Sequence, residues 1–280
     1  MKSNPPDNLR DIHEAPADIR AELARATGPL GIFGRRVHWL DTTTSTNDVA
    51  AQLAELGAAE GTTVAADAQT AGRGRLGRAW FSPPGAGLYV SIVLRPPGDL
   101  STRSNPSAFL TLASGVAIAE GVRAGTGLPA EIKWPNDVMI GKRKLAGILA
   151  EAAAQGDRLQ HVIVGFGVNL QNTSFPLELA DRATSIEAET SRRADRAQIF
   201  TQILIAFAAR YRDLQAGRFD AILSAWRALA PSLPSSWVEW DTAAGVMRGR
   251  AEDIDEHGAL MVRVGNNMER LVAGEVRWVQ

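Results

Sequence analysis

The sequence predicts an α+β fold with a mixed, mostly antiparallel sheet, packed helices and a small C-terminal β-barrel. Very short turn sequences join the apolar runs between residues 130 and 168, and a parallel crossover would need a dozen residues or more. Helical periodicity covers the segments on either side, whereas residues 236–280 hold only short alternating runs. We therefore divide the chain into a polar N-terminal extension (1–29), a main domain (30–232) and a small β-domain (233–280).

The N-terminal third contains one short and one well-marked helix. Residues 18–26 are compatible with a short helix, and we expect ordered chain to begin near Leu30. A helix is predicted from about Asn47 to Leu56, because apolar residues recur there at helical spacing and Gly57 follows. Ser45 with Asp48 three residues later resembles a capping box.

The remaining elements follow from apolar runs and turn signals. Strands are predicted near 62–67, 87–96, 130–134, 137–140, 145–153 and 160–168. Long helices are predicted to start at Asn105-Pro106 and to cover 199–214 and 219–229. The small β-domain has candidate strands at 237–241, 246–254, 258–264, 269–274 and 275–280.

Composition restricts the possible functions. The net charge is −1, so nothing global favours nucleic acid or a membrane, and no apolar run approaches a membrane span. The absence of cysteine excludes disulfides, thiolate metal sites and a cysteine nucleophile, and it fits a reducing compartment such as the cytoplasm. The four histidines are far apart, which disfavours a histidine metal site or a catalytic triad.

The stretch TAGRGRLGRAW (70–80) contains the spacing G-x-G-x-x-G. A dinucleotide-binding loop would need a helix to begin within it, but Pro83 and Pro84 follow and forbid one. An RNA-binding tether would need repetition and a basic neighbourhood, which are missing. Taken alone, the stretch is equally compatible with an exposed basic loop and with a loop whose guanidinium groups hold polyphosphate.

Three further segments favour a ligand site. In EIKWPNDVMIGKRKLAGILAE (131–151), Lys144 enters an apolar strand, where an ammonium group is costly unless an anion meets it. Gly147 beside it would allow close approach of a ligand, whereas Lys142 belongs to an exposed turn. DTTTSTND (41–48) has more polar groups than an N-cap needs, which favours an uncharged polar ligand. VGFGVNL (164–170) is also compatible with a bulged core strand.

Together and in this order, these motifs resemble those of biotin protein ligases, over roughly residues 38–280. The resemblance implies a class II synthetase-like catalytic domain with a C-terminal SH3-like domain. It implies that ATP converts biotin to biotinyl-5′-AMP, with Mg²⁺ as cofactor. The biotin is then transferred to a lysine of the biotin carboxyl carrier domain of acetyl-CoA carboxylase or a related carboxylase. The N-terminal segment has no room for a helix-turn-helix domain, so we expect no repressor activity and no nucleic-acid partner; a homodimer is plausible.

The resemblance also implies roles for individual residues. The expected biotin-binding residues are Ser45, Thr46, Asn47, Gln69, Gly72, Arg73, Lys144 and Gly147. The expected ATP-binding residues are Arg75, Arg78, Trp80, Asn136, Lys144 and Asn169. Lys144, Arg75 and Arg78 are the expected catalytic residues, and no side chain is assigned as a metal ligand. Asp137 is expected only to hold a turn. A ligase for lipoate or another acyl group, and a non-catalytic sensor of biotinyl-AMP, remain alternatives.

Overall fold

The computed structural model describes residues 9–96, 106–156, 158–173, 175–234, 236–243, 245–272, 274 and 276–279. Helices in these ranges are α1 (Ala17–Arg25), α2 (Thr27–Leu30), α3 (Thr46–Glu55), α4 (Pro106–Thr126), α5 (Leu177–Ala180), α6 (Ile186–Thr190), α7 (Arg196–Gln215) and α8 (Phe219–Ala228). Strands are β1 (His13–Glu14), β2 (Val37–Thr43), β3 (Thr63–Gln69), β4 (Gly87–Leu94), β5 (Glu131–Lys133), β6 (Asp137–Ile140), β7 (Arg143–Gln155), β8 (Arg158–Asn169), β9 (Trp237–Thr242), β10 (Gly245–Ile254), β11 (Leu260–Val264), β12 (Asn267–Leu271) and β13 (Val276–Val279).

The larger sheet has eight strands in the order β1-β2-β3-β4-β8-β7-β6-β5. Strands β2 and β3 are parallel, with α3 forming the crossover, and the other neighbours are antiparallel. The predicted mixed, mostly antiparallel sheet is therefore confirmed. The predicted strands and long helices are present within a few residues of the expected bounds, although Asn105 lies outside the described residues.

Apolar side chains cover both faces of this sheet. On one face α4 and α7 pack over residues such as Val90 and Val164. On the opposite face α3 packs through Val49 and Ala50 against Val64 and Ile163. Because side chains alternate along a strand, β8 contributes Val164 to one layer and Ile163 to the other.

The expectation that ordered chain begins near Leu30 is wrong. Ile19 and Leu23 of α1 are buried in the main core, and α1 packs against α7. Strand β1 also pairs with β2, through His13 opposite Trp39. The sequence predicts an extension because residues 1–28 are polar, contain three prolines and are too short for a domain, and only two of the nine residues of α1 turn out to be buried. The domain limits at residues 29/30 and 232/233 stay predictions.

The C-terminal strands form an antiparallel sheet in the order β12-β11-β10-β9-β13. Within the described ranges β12 and β13 are edge strands that do not pair with each other, so the expected barrel closure is not confirmed. Residues 275 and 280, which we assigned to the last strand, lie outside the described residues. The sheet is joined to the larger one by the buried Trp134, whose indole Nε1 donates to the Gly258 carbonyl at 3.0 Å.

Helix α4 is long and apolar. Over Ser107–Thr126 its mean hydropathy is 1.2, so by length and composition alone it would suffice to cross a membrane. However, 67% of that window is buried against other elements, which is the arrangement of a core helix.

Helices α4 and α7 are predicted to depend on one glycine for their close packing. A Cβ atom at Gly121 would lie 2.5 Å from Ile203 Cα, whereas one at Gly115 would make an ordinary contact of 3.7 Å with Ile132. Gly121→Ala should lower the free energy of unfolding by about 1–3 kcal/mol through overpacking. Gly115→Ala should be neutral or stabilising by up to about 1 kcal/mol, because alanine favours a helix. Urea unfolding measures both, and equal effects would contradict the packing described.

Candidate active site

A cavity of about 740 Å³ opens on the α3 face of the larger sheet. Its walls come from the N-terminus of α3, the loop between β3 and β4, strands β6 to β8, and the edge of the C-terminal sheet. This volume is in the range of cavities that bind a nucleotide or a drug-sized ligand.

The floor of the cavity is bare backbone. Gly147 of β7 lies opposite Gly167 of β8, and Gly165 lies two residues away on the same face. A Cβ atom at Gly165 would lie 2.0 Å from Asn47 Oδ1, and one at Gly167 would lie 2.2 Å from Trp80 Nε1. These glycines are required so that Asn47 and Trp80 can lie directly on the sheet.

One end of the cavity is polar and uncharged. Ser45 is the N-cap residue of α3, but its side chain makes no capping hydrogen bond and it lines the cavity instead, so the capping-box prediction is wrong. The backbone amide and hydroxyl of Thr46 both donate to Gln69 Oε1, at 2.9 and 3.1 Å. Gln69 Nε2 in turn donates to Ser82 Oγ at 3.0 Å. Hydrogen bonding thus fixes the orientation of the Gln69 amide.

Asn47 connects this end to the sheet. Its Oδ1 accepts from Ser91 Oγ at 2.6 Å, and its Nδ2 donates to Glu151 Oε2 at 2.5 Å. The side chain is 5% exposed, so both polar groups need the partners they have. Asn47 thereby fixes the first turn of α3 relative to β4 and β7.

The Arg/Gly stretch forms an ordered loop with a narrow neck. The Trp80 amide donates to the Gly72 carbonyl at 2.8 Å, and the Gly74 amide donates to the Arg78 carbonyl at 2.7 Å. At the tip, a single 3₁₀ turn brings Leu76 to φ 57° and leaves it 65% exposed. No helix begins in the loop, which agrees with the argument against a dinucleotide-binding loop.

The other end of the cavity is cationic. Lys144 Nζ lies 2.6 Å from Asp137 Oδ1 and 5.3 Å from the centroid of the Trp80 ring. Arg75 approaches the same region, with its Nη1 3.4 Å from Asn136 Oδ1. The backbone of Lys144 is held by the segment after α5, because its amide donates to the Arg182 carbonyl at 2.7 Å.

Basic side chains dominate the charged part of the cavity lining as a whole. The cavity-lining cations are Arg73, Arg75, Arg78, Lys133, Lys142, Lys144, Arg182 and Arg277. Burial lowers the pKa of Lys133; the charge of Asp137 opposes this, while the charges of Lys144 and Arg182 add to it. Burial likewise lowers the pKa of Arg75. Of the described residues, Asp137 alone brings an acidic group to the lining, so the cavity favours a multiply charged anion.

The structure brings nearly all the sequence-predicted site residues together. Those lining the cavity are Ser45, Thr46, Asn47, Gln69, Arg73, Arg75, Arg78, Trp80, Asn136, Lys144, Gly147 and Asn169. Gly72 is not among the lining residues; a Cβ atom there would lie 2.6 Å from Ser82 Oγ, so its role is to let the loop neck close. Asp137 does more than hold a turn, because it pairs with Lys144.

Several contributors were missed by sequence reasoning. Arg182 follows α5, far from any recognisable motif, and its segment forms a short bridge beside Lys144. Trp278 comes from the C-terminal sheet, and the centroid of its ring lies 5.8 Å from Lys133 Nζ. Within the described ranges no group of three or more His, Asp or Glu side chains is arranged to hold a metal ion.

The comparisons with known proteins agree with this geometry. Residues 39–169 match the Biotin/lipoate A/B protein ligase family, and residues 242–277 match the Biotin protein ligase C terminal domain. A bifunctional ligase/repressor BirA of Bacillus spizizenii is 37% identical over 88% of this chain and 74% of its own length. A biotin–[acetyl-CoA-carboxylase] ligase of Paracoccus denitrificans is 36% identical over 85% of this chain and 98% of its own. The chain belongs to the biotin protein ligase family.

A solved structure of the biotin protein ligase family has the same fold. The enzyme from Aquifex aeolicus, determined in complex with biotin and ATP, superposes with a TM-score of 0.76 at 27% identity, over 88% of this chain and 99% of its own. The family expected from the sequence motifs is therefore confirmed. The 740 Å³ cavity of this chain is built from the motifs on which that expectation depended.

We predict that Gly167→Ala displaces the Trp80 ring. The added methyl group would overlap the indole, which lies flat on the floor between Gly147 and Gly167. Gly167→Ala should change the near-ultraviolet circular dichroism spectrum of the wild-type protein. The same substitution should leave the spectrum of a Trp80→Phe variant unchanged. Gly28→Ala is the control, because a Cβ there meets no atom within 4 Å. A spectrum of Gly167→Ala identical to wild type would contradict the assigned position of the ring.

Proposed function

We propose that this protein activates biotin with ATP and transfers the biotin to a lysine of a biotin carboxyl carrier domain. The observation that carries the proposal is the joining of two unlike ends in one cavity: an uncharged polar end and a cation-rich end. Biotin has an uncharged ureido ring at one end and a carboxylate at the other, and ATP is a polyanion. The relatives named as ligases support the same conclusion.

The uncharged end suits the ureido ring. Ser45 and Gln69 line it, and the Gln69 amide already has a fixed orientation. We assign Ser45, Thr46 and Gln69 to the ureido ring and Gly147 to the floor beneath the acyl chain. A site built from oriented hydrogen-bonding groups rejects ligands that lack the partner groups. This favours biotin over lipoate, which has no ureido ring.

The cationic end suits the first chemical step. An oxygen of the biotin carboxylate attacks the α-phosphorus of ATP, the bond to the β-phosphate oxygen breaks, and pyrophosphate leaves. Two anions must approach each other, so catalysis depends on positioning and on charge stabilisation. Lys144 lies where both can be reached, and we assign it to the carboxylate and the α-phosphate. We assign Arg75 and Arg78 to the phosphates, and Trp80, Asn136 and Asn169 to the nucleotide.

The second step needs little from the protein beyond positioning. The amine of the carrier lysine attacks the carbonyl carbon of biotinyl-AMP, the bond to the phosphate oxygen breaks, AMP leaves and the amine loses a proton. The partner is a biotin carboxyl carrier domain of the acetyl-CoA carboxylase type, as the name of the Paracoccus denitrificans relative suggests.

Magnesium would enter with the nucleotide. The one acidic residue among the described cavity-lining residues, Asp137, is already paired with Lys144. Mg²⁺ keeps several waters and binds mainly to phosphate oxygens in such sites, so the residues present fit a metal held by ATP. It would supply charge neutralisation at the triphosphate.

We further propose that the five-stranded C-terminal sheet is the SH3-like domain of the family, since it covers the matched region 242–277. A cytoplasmic location, a homodimer and the lack of a nucleic-acid partner stay predictions.

The decisive test is ATP–pyrophosphate exchange with pure protein. We expect exchange that requires Mg²⁺ and biotin and that lipoate does not support. Exchange with lipoate alone would favour the acyl-ligase alternative. Tight binding of biotinyl-AMP without exchange would favour a non-catalytic sensor.

Lys144→Met should nearly abolish the exchange while leaving the fold intact. Removing one charge aimed at the transferring phosphoryl group should cost on the order of 10²–10³ in rate, by analogy with removal of an oxyanion-hole donor. Lys142→Met is the matched control and should have a mild effect, because Lys142 lines the cavity but is exposed at the turn before β7 and has no assigned role in the step. Equal losses in the two variants would mean that the catalytic lysine is wrongly assigned.

A further inference from the structure

The Arg73 guanidinium is bound by two carboxylates. Its Nη1 lies 2.7 Å from Asp48 Oδ1, and its Nη2 donates to Glu151 Oε2 at 3.2 Å. Burial alone would lower the pKa of Arg73, but the hydrogen bond that Arg73 donates to Asp48 and the charges of Glu151 and Asp48 outweigh it and raise the pKa. Both terminal nitrogens thus have carboxylate partners, so the protein itself holds this side chain before any ligand binds.

The two carboxylates belong to different elements. Asp48 is in the first turn of α3, and Glu151 is on β7. Arg73 itself starts the neck of the Arg/Gly loop, where it bridges to Ala79. One side chain therefore connects the loop neck, the helix and the sheet.

Glu151 extends this connection to the uncharged end of the cavity. The oxygen that accepts from Arg73 also accepts from Asn47 Nδ2 at 2.5 Å. The neighbouring residue Thr46 donates twice to Gln69. A displacement of the loop neck would thus be transmitted to the first turn of α3.

We propose that Asp48, Arg73 and Glu151 form an ionic latch that holds the neck of the Arg/Gly loop against α3 and β7. Arg73 is then a positioning residue that acts through these carboxylates, and not the biotin contact implied by the motif. The proposal rests on the proposed function for its role in biotin binding, while the latch itself is a property of the unliganded chain.

The latch has a specific energetic signature. Its three side chains are 38–44% exposed, and single ion pairs at such exposure contribute little. Removing a carboxylate leaves the other pair intact. Removing the guanidinium leaves two carboxylates beside each other without a counter-charge, and like charges at such positions repel. Loss of Arg73 should therefore be more harmful than loss of either acid, and neutralising one acid should partly restore an Arg73 variant.

The test compares Arg73→Met, Arg73→Lys, Asp48→Asn, Glu151→Gln and the doubles Arg73→Met/Asp48→Asn and Arg73→Met/Glu151→Gln. The first readout is hydrogen exchange of the Gly74, Arg78 and Trp80 amides in the unliganded protein. The second is the Kd for biotin measured by calorimetry. Glu252→Gln is the matched control, because it neutralises a carboxylate paired with Arg263 in the C-terminal sheet.

We expect Arg73→Met to accelerate exchange at the loop neck and to raise the Kd for biotin by several-fold to about tenfold, the loss expected for two partly exposed ion pairs. Compared with Arg73→Met, each double variant should show slower amide exchange at the neck and a lower Kd for biotin, both by a factor of about two or more. Arg73→Lys should be intermediate, since an ammonium group keeps the charge but lacks the fork that reaches both acids. Asp48→Asn and Glu151→Gln should have smaller effects than Arg73→Met, because an amide oxygen can still accept a hydrogen bond, and the control Glu252→Gln should change little.

A direct biotin contact would give another pattern. Arg73→Met would then raise the Kd without changing exchange at the neck, and no second substitution would restore binding; this result would overturn the proposal. The hydrogen-exchange readout needs no biotin, so a protein that failed to bind biotin would still support or refute the latch. If Arg73→Met does not fold, Arg73→Lys is compared with its combinations with Asp48→Asn and with Glu151→Gln, using the same two readouts.

Discussion

The site depends on a patch of sheet that carries no side chains. Gly165 and Gly167 of β8 and Gly147 of β7 face the same side of the sheet. Neighbouring side chains occupy the space that a Cβ atom would fill at these positions. Asn47 lies on Gly165, and Trp80 lies on Gly167. A larger residue at either position would displace a wall of the cavity, so the backbone of β7 and β8 is as much a part of the site as its cations.

Charge is concentrated in the cavity although the chain as a whole is nearly neutral. Packing several cations together disfavours the empty protein; burial lowers the pKa of Lys133, and the charges of Lys144 and Arg182 lower it further. Asp137 offsets part of it by pairing with Lys144. The polar end avoids the problem, because Thr46, Gln69 and Ser82 are neutral and already hydrogen-bonded to one another.

Sequence patterns predicted what depends on local chemistry. Six strands of the larger sheet and the long helices followed from periodicity and turn residues, whereas β1 and β2 were not predicted. The clustering of Lys144 with the Arg/Gly loop followed from the motif resemblance together with the cost of burying charge. Contacts between distant segments could not be predicted. Helix α1 buries only Ile19 and Leu23, too few to indicate a core helix within a polar segment. The pairing of Arg182 with the Lys144 backbone uses main-chain groups that any sequence provides. Ser45 shows both outcomes: the motif resemblance correctly placed it in the ligand site, whereas the local capping-box pattern was wrong.

The hydrogen bond from Trp134 to Gly258 has a consequence for how the molecule melts. Val238, Trp240 and Leu260 of the smaller sheet belong to the same apolar core as α4 and β8. Leu112 of α4 also lies against Gly258. With a common interior, the two sheets are one cooperative unit, and heat should disorder them in a single transition. A destabilising substitution in the smaller sheet would then also destabilise the cavity, although most residues of that sheet do not line it.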